Sequence, residues 1–238
     1  LLDVFPDRLG RTRRRDAPLI GRERELRLID DALGRAASDR ASHMFTVLGT
    51  AGVGKSRLVE EFTRGLGSDT VVVRGRCLPY GEGITFWPLA EIVGAAAGLA
   101  EADSPADATR KVELLLEGEP DAAEVAGQLA EIVGLAEGEL TTAQSFRTAR
   151  RLLETLARAD PLVVVLDDIH WAEPTFLDLI EHVAERARES TILLLCLARP
   201  ELLEIRPGWA GGKSNATTIL LEPLSERECE RLVEALFA

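Results

Sequence analysis

Apolar residues along the chain follow two spacings, one typical of buried strands and one typical of helices. Short runs of mainly apolar residues occur at 44–48, 70–74, 162–166, 191–197 and 217–221, and each predicts a strand. The runs of valines at 71–73 and 163–165 suit strands that are buried in a parallel sheet. Between these runs, apolar residues recur every three to four positions, which is the spacing of one helix face. Strands that alternate with helices predict a parallel sheet with helices on both of its faces.

Local signals indicate where several of the helices begin. Ser225 and Glu228 are three residues apart in front of the last helical pattern, which is the arrangement of a capping box. Pro174 suits the first turn of a helix, because the N–H group that proline lacks has no partner there. Residues 77–89 are rich in glycine and proline and predict a loop that leads into a helix from about Pro88.

One segment after the first strand carries a recognisable chemical pattern. Gly49-Thr50-Ala51-Gly52-Val53-Gly54-Lys55-Ser56 matches the phosphate-binding pattern G-x-x-x-x-G-K-[ST] at every fixed position. Glycine permits positive φ, so backbone N–H groups can surround an anion, and the N-terminus of the following helix adds roughly half a positive charge. We expect Lys55 to contact the β- and γ-phosphates and Ser56 to bind Mg²⁺. An ordinary glycine-rich turn is the alternative, and the flanking strand and helix argue against it.

Polar residues follow two later strands at the point where each strand ends. Asp167 and Asp168 follow the third strand, and Arg199 follows the fourth. Because the carboxyl ends of parallel strands meet at one edge of the sheet, we expect Asp167 to bind Mg²⁺, Asp168 to polarise an attacking water and Arg199 to contact a γ-phosphate. An Asp-rich turn and an exposed arginine are the alternatives. His170 and Trp171 are expected to pack the turn that positions the aspartates.

Charge is unevenly distributed along the 238 residues, whose formal net charge is −12. Residues 101–140 carry eleven Asp or Glu against Arg110 and Lys111, a difference of −9. We expect acidic helices there, within a helical insertion at about 95–143. They would form a lid or a partner surface, and a merely solvated face is the alternative.

The first residues of the chain are basic. Residues 1–18 have five arginines between Arg8 and Arg15 and predict a basic linker ahead of a core that spans 19–238. A basic arm that binds nucleic acid or membrane is the alternative.

The composition argues against two kinds of partner. An acidic balance gives no general electrostatic attraction to nucleic acid or anionic lipid, so we expect this domain to contact neither nucleic acid nor membrane. The longest apolar runs are too short to span a bilayer, and the first residues lack the apolar core of a signal peptide. Three well-separated cysteines are typical of reduced thiols, so we expect a cytoplasmic location.

The chain starts at Leu1 and stops within a helical pattern, from which we expect a fragment of a longer protein.

Four segments together resemble a known family. They are LIGREREL (19–26), GVGKSRL (52–58), DDIHWA (167–172) and ARPEL (198–202). In this order they resemble the nucleotide-binding domain of STAND-type signalling ATPases of the AAA+-related branch. The resemblance is strongest to the ATPase regions behind bacterial class III adenylate/guanylate cyclase domains and to those of large LuxR-type transcription regulators. Residues 79–89 are similar to a stretch frequent in the cyclase-linked group.

The resemblance implies a P-loop NTPase fold, α/β in class, with three α/β/α layers and a parallel five-stranded sheet in the order 5-1-4-3-2. It implies ATP or ADP with Mg²⁺ as ligands, adenine and ribose beside residues 20–22, and a sensor arginine that reports the γ-phosphate. The nucleotide-binding residues that it implies are Ile20, Gly21, Arg22, Gly49, Thr50, Ala51, Gly52, Val53, Gly54, Lys55, Ser56 and Arg57. The metal ligands are Ser56 and Asp167, and the catalytic residues are Lys55, Asp168 and Arg199.

The function that follows from these features is a regulatory switch domain that binds ATP and hydrolyses it slowly within a larger signalling protein. Its expected partners are an attached output domain, either a cyclase or a DNA-binding domain, and further copies of the chain. A small-molecule phosphotransferase is one alternative, but it does not explain the aspartate pair together with Arg199. A scaffold that holds ADP permanently, with residues 101–140 as a docking face, is another.

Overall fold

The computed structural model of this protein describes residues 19–79, 85–100, 102–119 and 121–237. The predicted basic linker (1–18) and the central part of the 77–89 loop lie outside the described residues. The strands are β1 (Ser42–Leu48), β2 (Val71–Arg76), β3 (Leu162–Asp167), β4 (Ile192–Ala198) and β5 (Ala216–Leu220). The helices are α1 (Glu23–Asp39), α2 (Lys55–Gly65), α3 (Trp87–Ala97), α4 (Pro105–Leu115), α5 (Ala122–Ile132), α6 (Thr142–Leu156), α7 (Pro174–Arg186), α8 (Leu202–Ile205) and α9 (Glu226–Phe237).

The five strands form one parallel sheet in the order β2-β3-β4-β1-β5. This is the predicted order 5-1-4-3-2 counted from the other edge, so the expected fold is confirmed. β1 lies between β4 and β5, with Ser42 opposite Ile192 and Met44 opposite Ala216. Every strand-to-strand connection therefore crosses over the sheet, and the helices that make these crossings cover its faces.

Each face of the sheet carries a hydrophobic core. Helices α1 and α2 pack on one face through residues such as Ile29, Leu58 and Phe62. The other face is covered by α3, α6 and α7, and residues of α4 and α5 belong to the same core. Successive strand residues alternate between the two cores: Val163 contributes to the first and Val164 to the second. This alternation is why the sequence shows an unbroken apolar run rather than an apolar–polar pattern.

Burial differs sharply between the inner strands and the edge strands. All seven residues of β1 and of β4 are buried, whereas β5 is partly exposed along its length. The expectation of a fully buried strand at 70–74 was wrong for Val71 and Val72, which are half-buried because β2 forms the opposite edge. Within the described residues, no helix is long and apolar enough to cross a membrane.

Backbone hydrogen bonds at the carboxyl ends of the strands extend the sheet into the loops. Gly49 donates its N–H to the carbonyl of Ala198 (3.1 Å), and Cys77 donates to the carbonyl of Asp167 (2.9 Å). Leu221 donates to the carbonyl of Leu48 at 2.7 Å. The glycine-rich loop, the aspartate pair and the chain around Arg199 are consequently held at one edge of the sheet.

Candidate functional site

The glycine-rich loop between β1 and α2 leaves open space beside two of its glycines. Gly52 and Gly54 have φ values of +80° and +107°, which side-chain-bearing residues rarely adopt. A Cβ atom placed on either glycine would meet no other atom within 4 Å, so the space beside the backbone is free. The N-terminal end of α2 begins immediately afterwards, at Lys55. These residues therefore fit an anion that approaches the backbone closely at a helix N-terminus.

Lys55 is buried and points back into its own loop. Its Nζ donates to the carbonyl oxygens of Gly49 (2.7 Å) and Thr50 (3.1 Å). Burial lowers the pKa of Lys55, and the negative charges of Asp168 and Asp167 act in the opposite direction. The ammonium group therefore lies within the electrostatic influence of both aspartates. Its bonds to loop carbonyls are ones that a phosphate group would replace.

The two residues after Lys55 lie on the first turn of α2. Ser56 is partly buried beside the loop, at the position from which a hydroxyl would reach a metal ion bound to phosphates. Arg57 forms an ion pair with Glu61 one helical turn further on (2.9 Å). The arrangement fits a nucleotide role for Ser56 more directly than for Arg57.

Asp167 and Asp168 stand at the end of β3 and are both partly buried. Asp168 has the left-handed conformation (φ 56°), and its N–H donates to Oδ1 of Asp167 at 3.0 Å. Burial raises the pKa of Asp167, and the charge of Asp168 raises it further. Two neighbouring carboxylates in such a setting are stabilised by a cation.

Arg76, at the end of β2, is a site residue that the sequence reasoning missed. It lies opposite Asp167 in the sheet, and its Nε and Nη2 both donate to Oδ2 of Asp168, at 3.1 and 2.8 Å. The hydrogen bond to Asp168 is the main cause that raises the pKa of Arg76. A cavity of about 350 Å³ between β2 and α3 extends from Arg76 and Glu91 to Asp167. Its position in the sequence was the available signal, because Arg76 and Asp167 each end a strand and Arg199 directly follows one.

Arg199 follows β4 and is held by the turn after Asp168. Its N–H donates to Nδ1 of His170 at 3.4 Å, and its guanidinium carbon lies 6.0 Å from the centre of the Trp171 ring. His170 is buried, as expected for a residue that packs the turn. Trp171 contacts the His170 ring within the same turn, and its side chain is 45 % exposed.

Residues 20–22 approach the loop from the side of β5. Ile20 and Arg22 are buried, and Gly21 has a φ of +70°. Nη2 of Arg22 donates to the carbonyl of Val53 (3.4 Å) and to that of Glu222 (2.6 Å). The loop therefore has Arg22 on its β5 side and the aspartates with Arg199 on its β3 and β4 side.

This two-sided arrangement suits a nucleotide with Mg²⁺. A ligand whose phosphates lie on the loop would direct its terminal phosphate toward Asp168 and Arg199 and its nucleoside toward residues 20–22. Across the described part of the chain, no group of three or more His, Cys, Asp or Glu side chains is placed to hold a metal ion by itself. A serine hydroxyl and one carboxylate fit Mg²⁺, which proteins commonly bind through one or two side chains together with substrate phosphates. Ser56 and Asp167 are the residues that would hold it.

Comparisons with known proteins bear on the whole chain. Residues 18–195 match the family model of the AAA ATPase domain. An uncharacterized protein of Rhizobium meliloti (strain 1021) is 28% identical over 241 residues, which cover 98% of this chain and 23% of that protein. The chain thus spans about a quarter of the length of this curated relative.

Two solved structures are among those that this chain matches. The Orc1 protein of Aeropyrum pernix, in complex with DNA, is 18% identical with a TM-score of 0.47, and the match covers 94% of this chain and 50% of that one. Cdc6p from Pyrobaculum aerophilum is 16% identical with a TM-score of 0.40, over 98% of this chain and 52% of that one. Because the family model matches well over half of its residues, this chain belongs to the AAA ATPase domain family.

Proposed function

We propose that this chain is an ATP-binding regulatory switch domain that hydrolyses ATP slowly with Mg²⁺. The observation that carries the proposal is that β3, β4 and β1 are neighbours in the sheet, so that their carboxyl ends bring the aspartates, Arg199 and the loop with Lys55 together. The charges of Asp167 and Asp168, which follow or end β3, and of Arg199, which follows β4, all act on the Lys55 ammonium group. A site that surrounds a terminal phosphate with a lysine, a sensor arginine and carboxylates distinguishes ATP from ADP.

Each residue of the proposed site would have a separate role in binding or hydrolysis. Lys55 would exchange the carbonyls of Gly49 and Thr50 for phosphate oxygens, which bind an ammonium group more strongly because they are charged. Ser56 and Asp167 would hold Mg²⁺, which would supply positive charge against the phosphates. In the described conformation Asp168 accepts two hydrogen bonds from Arg76, both at Oδ2, and Oδ1 would be the oxygen that orients a water. The ion pair with Arg76 makes Asp168 a weaker base, which would favour the slow turnover that suits a switch.

The signalling context is also part of the proposal. The segments around residues 19–26, 52–58, 167–172 and 198–202 resemble STAND-type ATPases, either linked to class III cyclases or part of large LuxR-type regulators. A curated relative about four times as long as the matched region leaves room for such output domains. ATP would favour an open state able to associate with further copies, and hydrolysis would return the domain to a closed state.

Calorimetric titration with ADP and with a non-hydrolysable ATP analogue, each with and without Mg²⁺, tests the proposal. We expect Mg²⁺-dependent binding that is lost in Lys55→Ala, because a positive charge beside the phosphates is removed. Lys111→Ala is a matched control, since Lys111 lies on α4 and forms an ion pair with Asp103 rather than with a loop residue. Asp168→Asn should retain binding and reduce hydrolysis. Unchanged affinity in Lys55→Ala would show that the loop does not bind the nucleotide.

A further inference from the structure

The turn that follows Asp168 contacts Arg199 in two different ways. Nδ1 of His170 accepts a hydrogen bond from the Arg199 main-chain N–H, and the Trp171 ring lies beneath the Arg199 guanidinium group. The two rings are themselves in contact, with centres 5.0 Å apart and planes tilted by 40°. Two consecutive residues therefore contact both the main chain and the side chain of one arginine.

The same turn is rigidly connected to the aspartates. It is a single 3₁₀ turn (Ile169–Trp171) that starts from the left-handed Asp168. The Trp171 N–H donates to the carbonyl of Asp168 at 2.9 Å, and the side chain of Ile169 is fully buried beneath the turn. A displacement of Asp168 would consequently be transmitted to His170 and Trp171, and through them to Arg199.

His170 makes a contact that packing alone does not require. Its side chain is only 6 % exposed, and because Nδ1 accepts a hydrogen bond, the proton of the neutral ring resides on Nε2. Nε2 is buried and has no hydrogen-bond partner among the described residues. A buried imidazole that leaves one nitrogen unpaired while binding the Arg199 main chain with the other is a costly choice of side chain for simple core filling.

Trp171 is in the opposite situation. Its indole is nearly half exposed, so it contributes little to the core, and its face is occupied by the Arg199 guanidinium group. A cation over an exposed aromatic face is held weakly, whereas a guanidinium–phosphate contact is charge-assisted and can be bidentate. A γ-phosphate can therefore draw this guanidinium group away from the indole.

We propose that His170 and Trp171 are positioning residues for Arg199, which couple the sensing of a γ-phosphate to the turn that carries Asp168. The proposal rests on the proposed function as an ATP switch. His170 fixes the end of β4, so that only the arginine side chain moves. The guanidinium group of Arg199 rests over the Trp171 ring when no γ-phosphate is bound. The ring therefore competes with that phosphate for the arginine side chain.

Two groups of variants with opposite expected effects test the proposal by titration with ADP and a non-hydrolysable ATP analogue. His170→Phe fills a similar volume but removes the acceptor, and we expect the preference for the ATP analogue over ADP to fall by about three- to tenfold. His170→Asn places an oxygen where Nδ1 lies and should keep the preference within about twofold of the original chain. Trp171→Leu removes the competing aromatic face and should raise the affinity for the ATP analogue by about two- to fivefold, with ADP binding unchanged.

Tryptophan emission gives a signature that a purely structural role would not produce. The signal of Trp171 is obtained as the difference between the original chain and Trp171→Phe, which leaves Trp87 and Trp209 in place. We expect this difference signal to change when the ATP analogue binds, because the guanidinium group leaves the indole, and to stay constant with ADP. Arg199→Gln should abolish the change.

The outcomes separate this inference from the proposed function. Equal affinity of the original chain for both nucleotides would overturn the switch function itself. Discrimination that persists in His170→Phe, or an emission change that persists in Arg199→Gln, would overturn the positioning roles alone. If His170→Phe fails to fold, Trp171→Leu decides, since Trp171 is exposed: an unchanged or lowered affinity for the ATP analogue in that variant contradicts the inference.

Discussion

Replacing Arg76 with glutamine removes a positive charge beside the candidate metal site, and we expect it to tighten the binding of Mg²⁺. Arg76 donates two hydrogen bonds to Asp168 and lies opposite Asp167 in the sheet. A metal ion held by Asp167 would be repelled by this guanidinium group. Glutamine keeps a polar side chain at the exposed strand end, although a shorter one, so the main change is the loss of the positive charge.

The size of the effect follows from Coulomb's law and from the exposure of the side chain. Neighbouring strands are about 4.8 Å apart, which suggests a separation on the order of 6 Å between the guanidinium group and a metal at Asp167. Because the Arg76 side chain is 62 % exposed, an effective dielectric constant of about 40 to 80 is appropriate, and the repulsion of a doubly charged ion is about 1.4–2.8 kcal/mol. We therefore expect the Mg²⁺ concentration at half-maximal nucleotide binding to fall by about ten- to hundredfold.

The measurement is a Mg²⁺ titration at fixed ADP, followed by calorimetry at two salt concentrations. Arg74→Gln is the matched control, since Arg74 is an exposed arginine two residues earlier on β2 that donates instead to Thr63. It should change Mg²⁺ dependence by less than about twofold. Thermal unfolding should be little changed in both variants, because an exposed ion pair contributes only about 0–1 kcal/mol. An unchanged Mg²⁺ midpoint in Arg76→Gln, or an equal shift in Arg74→Gln, would refute the reasoning.

Three further predictions concern the backbone and the histidines. In urea titrations, Gly54→Ala should lower the free energy of unfolding by about 1–3 kcal/mol, because φ is +107° there. Gly34→Ala should raise it by about 0.5–1 kcal/mol, because Gly34 lies within helix α1 and has open space beside it. Gly75→Ala would place a Cβ atom against the carbonyl oxygen of Pro88 in α3, so we expect it to lower the free energy of unfolding. A decrease of less than about 1 kcal/mol would contradict a clash there. Burial lowers the pKa of His43 and of His182 from 6.5, so the unfolded chain binds more protons just below pH 6.5 and stability should fall as the pH drops through that value. An identical fall in a variant with both histidines replaced by glutamine would exclude this cause.

Some elements could be predicted from local sequence because short-range physics determines them. The capping box is one example: the Ser225 N–H donates to Oε2 of Glu228 at 2.7 Å, as the three-residue spacing indicated. The helix that starts at Pro174 and the strand that ends in Asp167 are others. In each case the deciding interactions lie within a few residues, so periodicity and end signals suffice to place the element.

Other features depend on which strands become neighbours, and local sequence does not contain that information. Val71 and Val72 have the composition of a buried strand, yet β2 lies at an edge and leaves both half-buried. Trp171 has a large, mostly apolar side chain of the kind common in cores, yet nearly half of it is exposed and the Arg199 guanidinium group lies over its ring. Burial is a property of the assembled layers, so a residue's own hydrophobicity does not determine it.

The sequence by itself determined the strand–helix alternation, the glycine-rich loop ending in Lys55, and the placement of Asp167 and Arg199 at strand ends. These follow from side-chain periodicity and from the backbone freedom of glycine, which act over a few residues. Only the tertiary structure decided that Arg76 holds Asp168, that Arg22 joins the loop to the chain after β5, and that the turn after Asp168 carries Arg199. Those contacts join residues far apart in sequence, and they exist because parallel pairing brings the carboxyl ends of all five strands to one edge of the sheet.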